Sequence, residues 1–159
     1  MDSTQAVSAL SVAEYFVSKA NQEGKSLTNK KIQKLAYYAQ AWSLAINNKK
    51  IFDEKIEAWV HGPVVRTIYD AYKRYGFSSF QKVVDESLVT GISEVDKKIL
   101  DNVWKVYGKF DSSYLEMLTH SESPWQDARA GLDATENSEI EITPDSMREY
   151  YSKKLVAAV

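Results

Sequence analysis

The stretch Thr28-Asn29-Lys30-Lys31-Ile32-Gln33-Lys34-Leu35-Ala36-Tyr37-Tyr38-Ala39-Gln40-Ala41-Trp42-Ser43-Leu44-Ala45-Ile46-Asn47 decides the fold class. Ile32, Leu35, Ala36, Ala39, Trp42 and Ile46 recur at spacings of three and four, which predicts an amphipathic helix over residues 29–47. Thr28 is its N-cap and Asn47-Asn48 its stop. On this reading Lys30, Lys31 and Lys34 occupy the opposite face, and Tyr38 and Gln40 lie off the apolar stripe.

Outward from this helix the punctuation is clear. Upstream, residues 11–22 carry Val12, Tyr15, Phe16, Lys19 and Ala20, with Ser11 as N-cap, Glu14 as its capping-box partner and Gly24 as stop. Downstream, each of the three prolines stands where a helix should begin: Gly62-Pro63, Ser123-Pro124 and Thr143-Pro144. Residues 94–108 form a further helix, and Asp111 caps a short one through Leu118. Residues 80–92 have no period and read as a connector. Ile56, Ala58 and Val60 alternate with Glu57 and Trp59, so 56–60 is a candidate strand, with 139–143 as its candidate partner. The expected fold is mainly α: one compact helical domain over residues 1–159, with about six to seven helices and a minor short β element. Its core spans about 10–155, after a short flexible N-terminus.

Composition removes several function classes. With 44% hydrophobic and 26% charged residues, the chain is neither disordered nor fibrous. No apolar run is long enough for a membrane span, and no secretory leader opens the chain. Cysteine is absent, which excludes disulfides, thiol catalysis and Cys-based metal sites. These features point to the cytoplasm. The net charge of −2 conceals a polarity. Residues 1–80 hold eleven Lys and Arg against seven Asp and Glu, and residues 81–159 hold nine against fifteen. Nothing here resembles the basic excess of a dedicated nucleic-acid binder, so nucleic acid is not the expected partner.

The chemistry-bearing residues are few. The two histidines are His61 and His120. Glu57 and Glu122 lie near them, but at no recognised zinc spacing, so no metal and no cofactor are expected. There is no nucleophile elbow, no phosphate-binding loop and no dinucleotide turn. The lysines from Lys25 to Lys55 read as a solvated helix face before they read as phosphate contacts. Ten tyrosines and four tryptophans are a marked excess. Trp59 and Trp125 each stand within a few residues of a histidine and a proline, and such side chains serve cores and interfaces alike. The apolar tail Leu155–Val159 reads as a packed helix end or as a degradation signal.

Three ordered blocks carry a resemblance. Ile32 through Trp42 is similar to the Lys-Leu-x-Tyr-Tyr-x-Gln-x-Trp signature of the SocA-like Panacea domain. Phe52-Asp53-Glu54 and Glu57 through Val65 resemble its second block, Glu-Ala-Trp-x-x-Gly-Pro-Val, ahead of a Tyr-rich helix. Leu118-Thr119-His120 with Pro124-Trp125 resembles its third. The family includes phage-associated GepA-like proteins and antitoxins of toxin–antitoxin pairs. The resemblance implies a mostly helical, non-enzymatic domain that neutralises a cognate protein toxin by direct binding. SocA-type relatives imply an alternative, a proteolytic adaptor delivering the toxin to a ClpXP-type protease. A different class stays open: an enzyme using His61 or His120 as general base on a small or nucleic-acid substrate. The candidate partner-binding residues are Trp59, His61, Gly62, Pro63, His120, Pro124, Trp125 and Tyr38. Trp59, His61, His120 and Trp125 would form one aromatic, polar concavity if the two Pro-bounded segments meet.

Overall fold

The computed structural model describes residues 7–157. Residues 1–6 of the short N-terminus and residues 158–159 of the apolar tail therefore lie outside the described residues. Eight α-helices are present among the described residues: α1 (Ala9–Gln22), α2 (Asn29–Asn47), α3 (Arg66–Tyr72), α4 (Glu86–Val89), α5 (Glu94–Tyr107), α6 (Ser112–His120), α7 (Ser123–Ala128) and α8 (Pro144–Ala157). A small antiparallel sheet holds β1 (Ile56–Trp59), β2 (Gly62–Val64) and β3 (Glu141–Ile142) in the order β2-β1-β3. The fold is mainly α, as the sequence implies. The helix that sequence reading omits is α4, a single turn inside the aperiodic connector.

The expected pairing of the two candidate strands is found, with Ile56 opposite Ile142 and Glu57 opposite Glu141. Two helix starts differ from expectation. The N-cap of α1 is Ser8, in a reciprocal capping box with Ser11. Glu14, assigned by the sequence to that box, is buried and accepts from the Tyr72 hydroxyl, the Lys82 ammonium and the Asp85 N–H. Pro63 does not open a helix but sits in β2, opposite Ala58, and α3 begins at Arg66. Strand β2 is an edge, and an edge tolerates a residue without an N–H. Pro124 and Pro144 do stand in the first turns of α7 and α8.

The largest departure concerns α2. Ten consecutive residues, Ile32 through Ala41, are buried, so the helix is enclosed on all sides and not amphipathic. Helices α1, α3, α5, α6 and α8 and strand β2 surround it. Lys34, expected on a solvated face, is 1% exposed. Enclosure forces every polar side chain of α2 to find a partner inside. Gln33 accepts from the Val65 N–H at 2.9 Å. Gln40 donates to the Phe52 carbonyl at 2.7 Å and accepts from the Ile51 N–H at 2.8 Å. Ser43 donates to the Lys49 carbonyl at 2.8 Å. The Tyr38 and Tyr151 hydroxyls both donate to the Glu122 carboxylate at 2.7 Å, and Tyr37 lies 3.1 Å from the Tyr151 hydroxyl. Burial pushes the Glu122 carboxyl above the usual range despite those two donors.

Gln40 is the sharpest test of this arrangement, because one amide fixes the chain entering β1. Gln40→Leu keeps the volume and leaves the Phe52 carbonyl and the Ile51 N–H buried without partners. We expect a loss of about 2–4 kcal/mol in urea denaturation, with the helical circular dichroism retained in the native baseline.

Candidate functional site

The site grows out of the β1–β2 hairpin. Alternation along β1 sends Ile56 and Ala58 to the core and Glu57 and Trp59 to the other face, where Val64 and Glu141 stand opposite Glu57. The hairpin turns through Val60 and His61 into Gly62, whose φ of +111° suits glycine alone. A Cβ there would also stand 2.7 Å from Lys34 Cε, so the turn rests directly on the lysine stem. Lys34 Nζ donates to the Pro63 carbonyl at 3.3 Å. Burial drives its pKa down from the usual lysine range to about 7, with the nearby Glu116 carboxylate opposing the shift.

Four of the sequence-derived candidates meet here in two arrangements. Trp125 donates its indole N–H to the Trp59 carbonyl at 2.8 Å. The His120 ring stacks on Trp125 with centroids 3.9 Å apart and planes 10° apart. His120 and Trp125 thus form a packed stack tied to the Trp59 backbone, with Pro124 buried at the start of α7. Burial lowers the His120 pKa. His61 is exposed, and its Nδ1 lies 3.1 Å from a Glu116 oxygen whose carboxylate also pairs with Lys30. Lys30, His61 and their hydrogen bonds hold the Glu116 carboxyl below the usual range, against the opposing effect of its burial. Gly62 and Pro63 are buried as the backbone between α6, which carries His120, and α2. Tyr38 is apart from all of these, fully buried and stacked on Tyr107 at 4.1 Å.

The open feature lies on the outer face of the sheet. A cleft of about 580 Å³ is bounded by Trp59, Val60, His61, Val64 and Arg66 on one side and by Thr135, Asn137, Ser138 and Glu139 on the other. Trp59 packs between Tyr69, at 5.0 Å, and the Arg66 guanidinium, at 5.3 Å. Its indole N–H donates to Glu57 at 2.9 Å. Arg66 bridges Glu57 at 3.2 Å and Glu139 at 2.7 Å, and these carboxylates hold its pKa above the usual value. The far wall is held by Arg129. Its guanidinium is buried without a carboxylate and donates to the carbonyls of Ala58, Asp133 and Glu136 at 2.9, 3.2 and 2.6 Å.

Sequence reading missed Arg66, Arg129 and Lys34. Arg66 and Glu139 are far apart in the chain and carry no mutual signal. Alternation in β1 does place Glu57 on the Trp59 face, and that was the available clue. Among the described residues no group of three or more His, Asp or Glu could hold a metal ion. No helix of the described residues is long and apolar enough to cross a membrane.

A family model described as "Antitoxin SocA-like, Panacea domain" matches residues 32–126, which run from α2 into α7. Over 131 residues the chain is 25% identical to Antitoxin SocA of Caulobacter vibrioides (strain NA1000 / CB15N), covering 76% of this chain and 70% of that protein. No solved structure matches.

The buried lysine has a thermodynamic signature. Because its folded pKa of about 7 lies below the unfolded one, the unfolded chain binds more protons between the two values. The penalty is complete below pH 7 and is relieved as pH rises. We expect a gain of about 2 kcal/mol in unfolding free energy between pH 7 and 9. In Lys34→Met that gain disappears, as chemical denaturation at several pH values would show. Arg129→Met leaves the buried Ala58 carbonyl without its donor and frees the 133–136 turn, and should cost about 1–3 kcal/mol, with faster amide exchange across 133–136.

Proposed function

We propose, because this chain belongs to the antitoxin SocA-like Panacea-domain family, that it neutralises a cognate protein toxin by binding it directly. The family and the curated relative support an antitoxin role. The observation that favours direct binding is the cleft beside Trp59 and His61. It is open, with Trp59 on one wall, and its walls are held from behind by Lys34 of the buried helix at Pro63 and by Arg129 at the carbonyls of Ala58, Asp133 and Glu136. Such a surface needs no rearrangement to receive a partner, which spares the ordering cost of association. Trp59 and His61 contact the toxin. Gly62, Pro63, His120, Pro124 and Trp125 hold the hairpin in place, and Tyr38 supports them from the core. Neutralisation of this kind requires no catalytic group, and it takes place in the cytoplasm.

A tagged chain recovered from its native host should bring down one small protein encoded beside it, toxic alone and silent when co-expressed. Mixed as purified proteins without protease or ATP, the pair should give stoichiometric inhibition of the toxin. Inhibition that appears only with a ClpXP-type protease and ATP would assign the chain to delivery instead. His61→Ala combined with His120→Ala should retain rescue if the variant remains folded; loss of rescue by a folded variant would argue for histidine chemistry.

A further inference from the structure

We infer that the cleft on the outer face of the sheet receives a basic segment of the protein partner, with its lysine or arginine side chains meeting the acidic wall. This rests on the direct-binding reading above and gives the partner a chemistry.

The first support is an unbalanced charge set. Glu57 and Glu141 stand directly opposite each other on neighbouring strands, an arrangement that disfavours the sheet when both are ionised. Arg66 relieves Glu57 and also serves Glu139. Two carboxylates thus share one guanidinium, and the third, Glu141, has no ion pair among the described residues. The second is continuity. From Ala130 to Met147 the chain holds Asp133, Glu136, Glu139, Glu141 and Asp145 and not one Lys or Arg. All five are exposed. The third is apolar surface at the same place. Tyr69 is an exposed large side chain packed against Trp59. An aromatic floor beside a surplus of carboxylates fits the long stems and cationic heads of Lys and Arg, which need both. Arg66 already shows the mode, since its guanidinium lies over Trp59 while its nitrogens meet Glu57 and Glu139. The family match ends at residue 126, before the acidic wall begins. Partner discrimination can therefore sit on a segment outside the matched core.

The test uses the full chain, labelled with nitrogen-15, and two synthetic pentapeptides as probes: acetyl-Lys-Leu-Arg-Leu-Lys-amide and its counterpart with Glu at each basic position. The cationic peptide should give saturable shifts centred on the Trp59 indole, Asn137 and Ser138, weakening as salt rises. The acidic peptide should give none there. Glu141→Lys reverses an exposed charge with no partner to lose, and Asn137→Trp fills the cleft from its exposed wall. Each should lower the affinity by about tenfold without lowering the melting temperature, since Lys at 141 faces Glu57 with the opposite charge. Equal response to the acidic peptide, shifts centred elsewhere, or no saturable shift at millimolar peptide would overturn the inference. A toxin complex that forms with full strength in Glu141→Lys would overturn it too, while leaving direct neutralisation intact.

Discussion

Enclosure of α2 along Ile32 to Ala41 governs the rest of the molecule. A helix with water on one side can leave its polar side chains to solvent. A helix surrounded by five others and a strand cannot, and an unmet buried donor or acceptor costs about 1–3 kcal/mol. The buried polar residues of α2 therefore fix particular pieces of the chain around it. Gln40 and Ser43 hold the turn from Lys49 to Phe52, and Gln33 and Lys34 hold the hairpin exit at Pro63 and Val65. Tyr37 and Tyr38 join α8 and the start of α7 through Tyr151 and Glu122. The segments carrying the site are positioned by hydrogen bonds from one helix.

That arrangement also disposes of an exposed edge. The outer rim of β2 would present free backbone groups to any other strand. Here Pro63 has no N–H to offer, its carbonyl is taken by Lys34, and both polar groups of Val65 meet Gln33. On the other side of β1, Ala58 is satisfied by Ile140 and by Arg129. The sheet of three short strands is closed at its rims and open on one face. The charges are deployed on that face, where Glu57, Arg66 and Glu139 form a chain over Trp59.

Local signals in the sequence were legible and enclosure was not. Thr28 and Asp111 announce helix starts through short-range capping, and the structure honours both. The alternation in 56–60 and 139–143 announces a strand pair. Period counting treats lysine as a surface marker, which puts Lys34 on a solvated face, and leaves Tyr38 and Gln40 off the apolar stripe without assigning them a partner. Whether a helix is covered on one side or on all is a property of its neighbours. Pro63 misled for a related reason: proline suits a first helical turn and an edge strand equally, and the strand is decided by β1 lying beside it. At the site, Trp59 and His61 could be picked out by residue type, whereas Arg66 with Glu139 and Arg129 with Ala58 arise from contacts between distant segments.

The energetic difference between the two regions bears on how such a domain changes partner. Substitution on α2 strands a buried polar group or opens a cavity, at costs comparable with a sizeable share of a domain's net stability. Exposed positions away from such features usually change stability by less than about 0.5 kcal/mol. The acidic stretch from Ala130 to Met147 is of the second kind over most of its length. It is anchored at its backbone by Arg129 and leaves its carboxylates in solvent. Because Arg129 grips carbonyls and not side chains, the identity of residues 133 and 136 is free of the anchor. Recognition chemistry on this wall can change sign, size or polarity while the helix that organises the fold stays as it is.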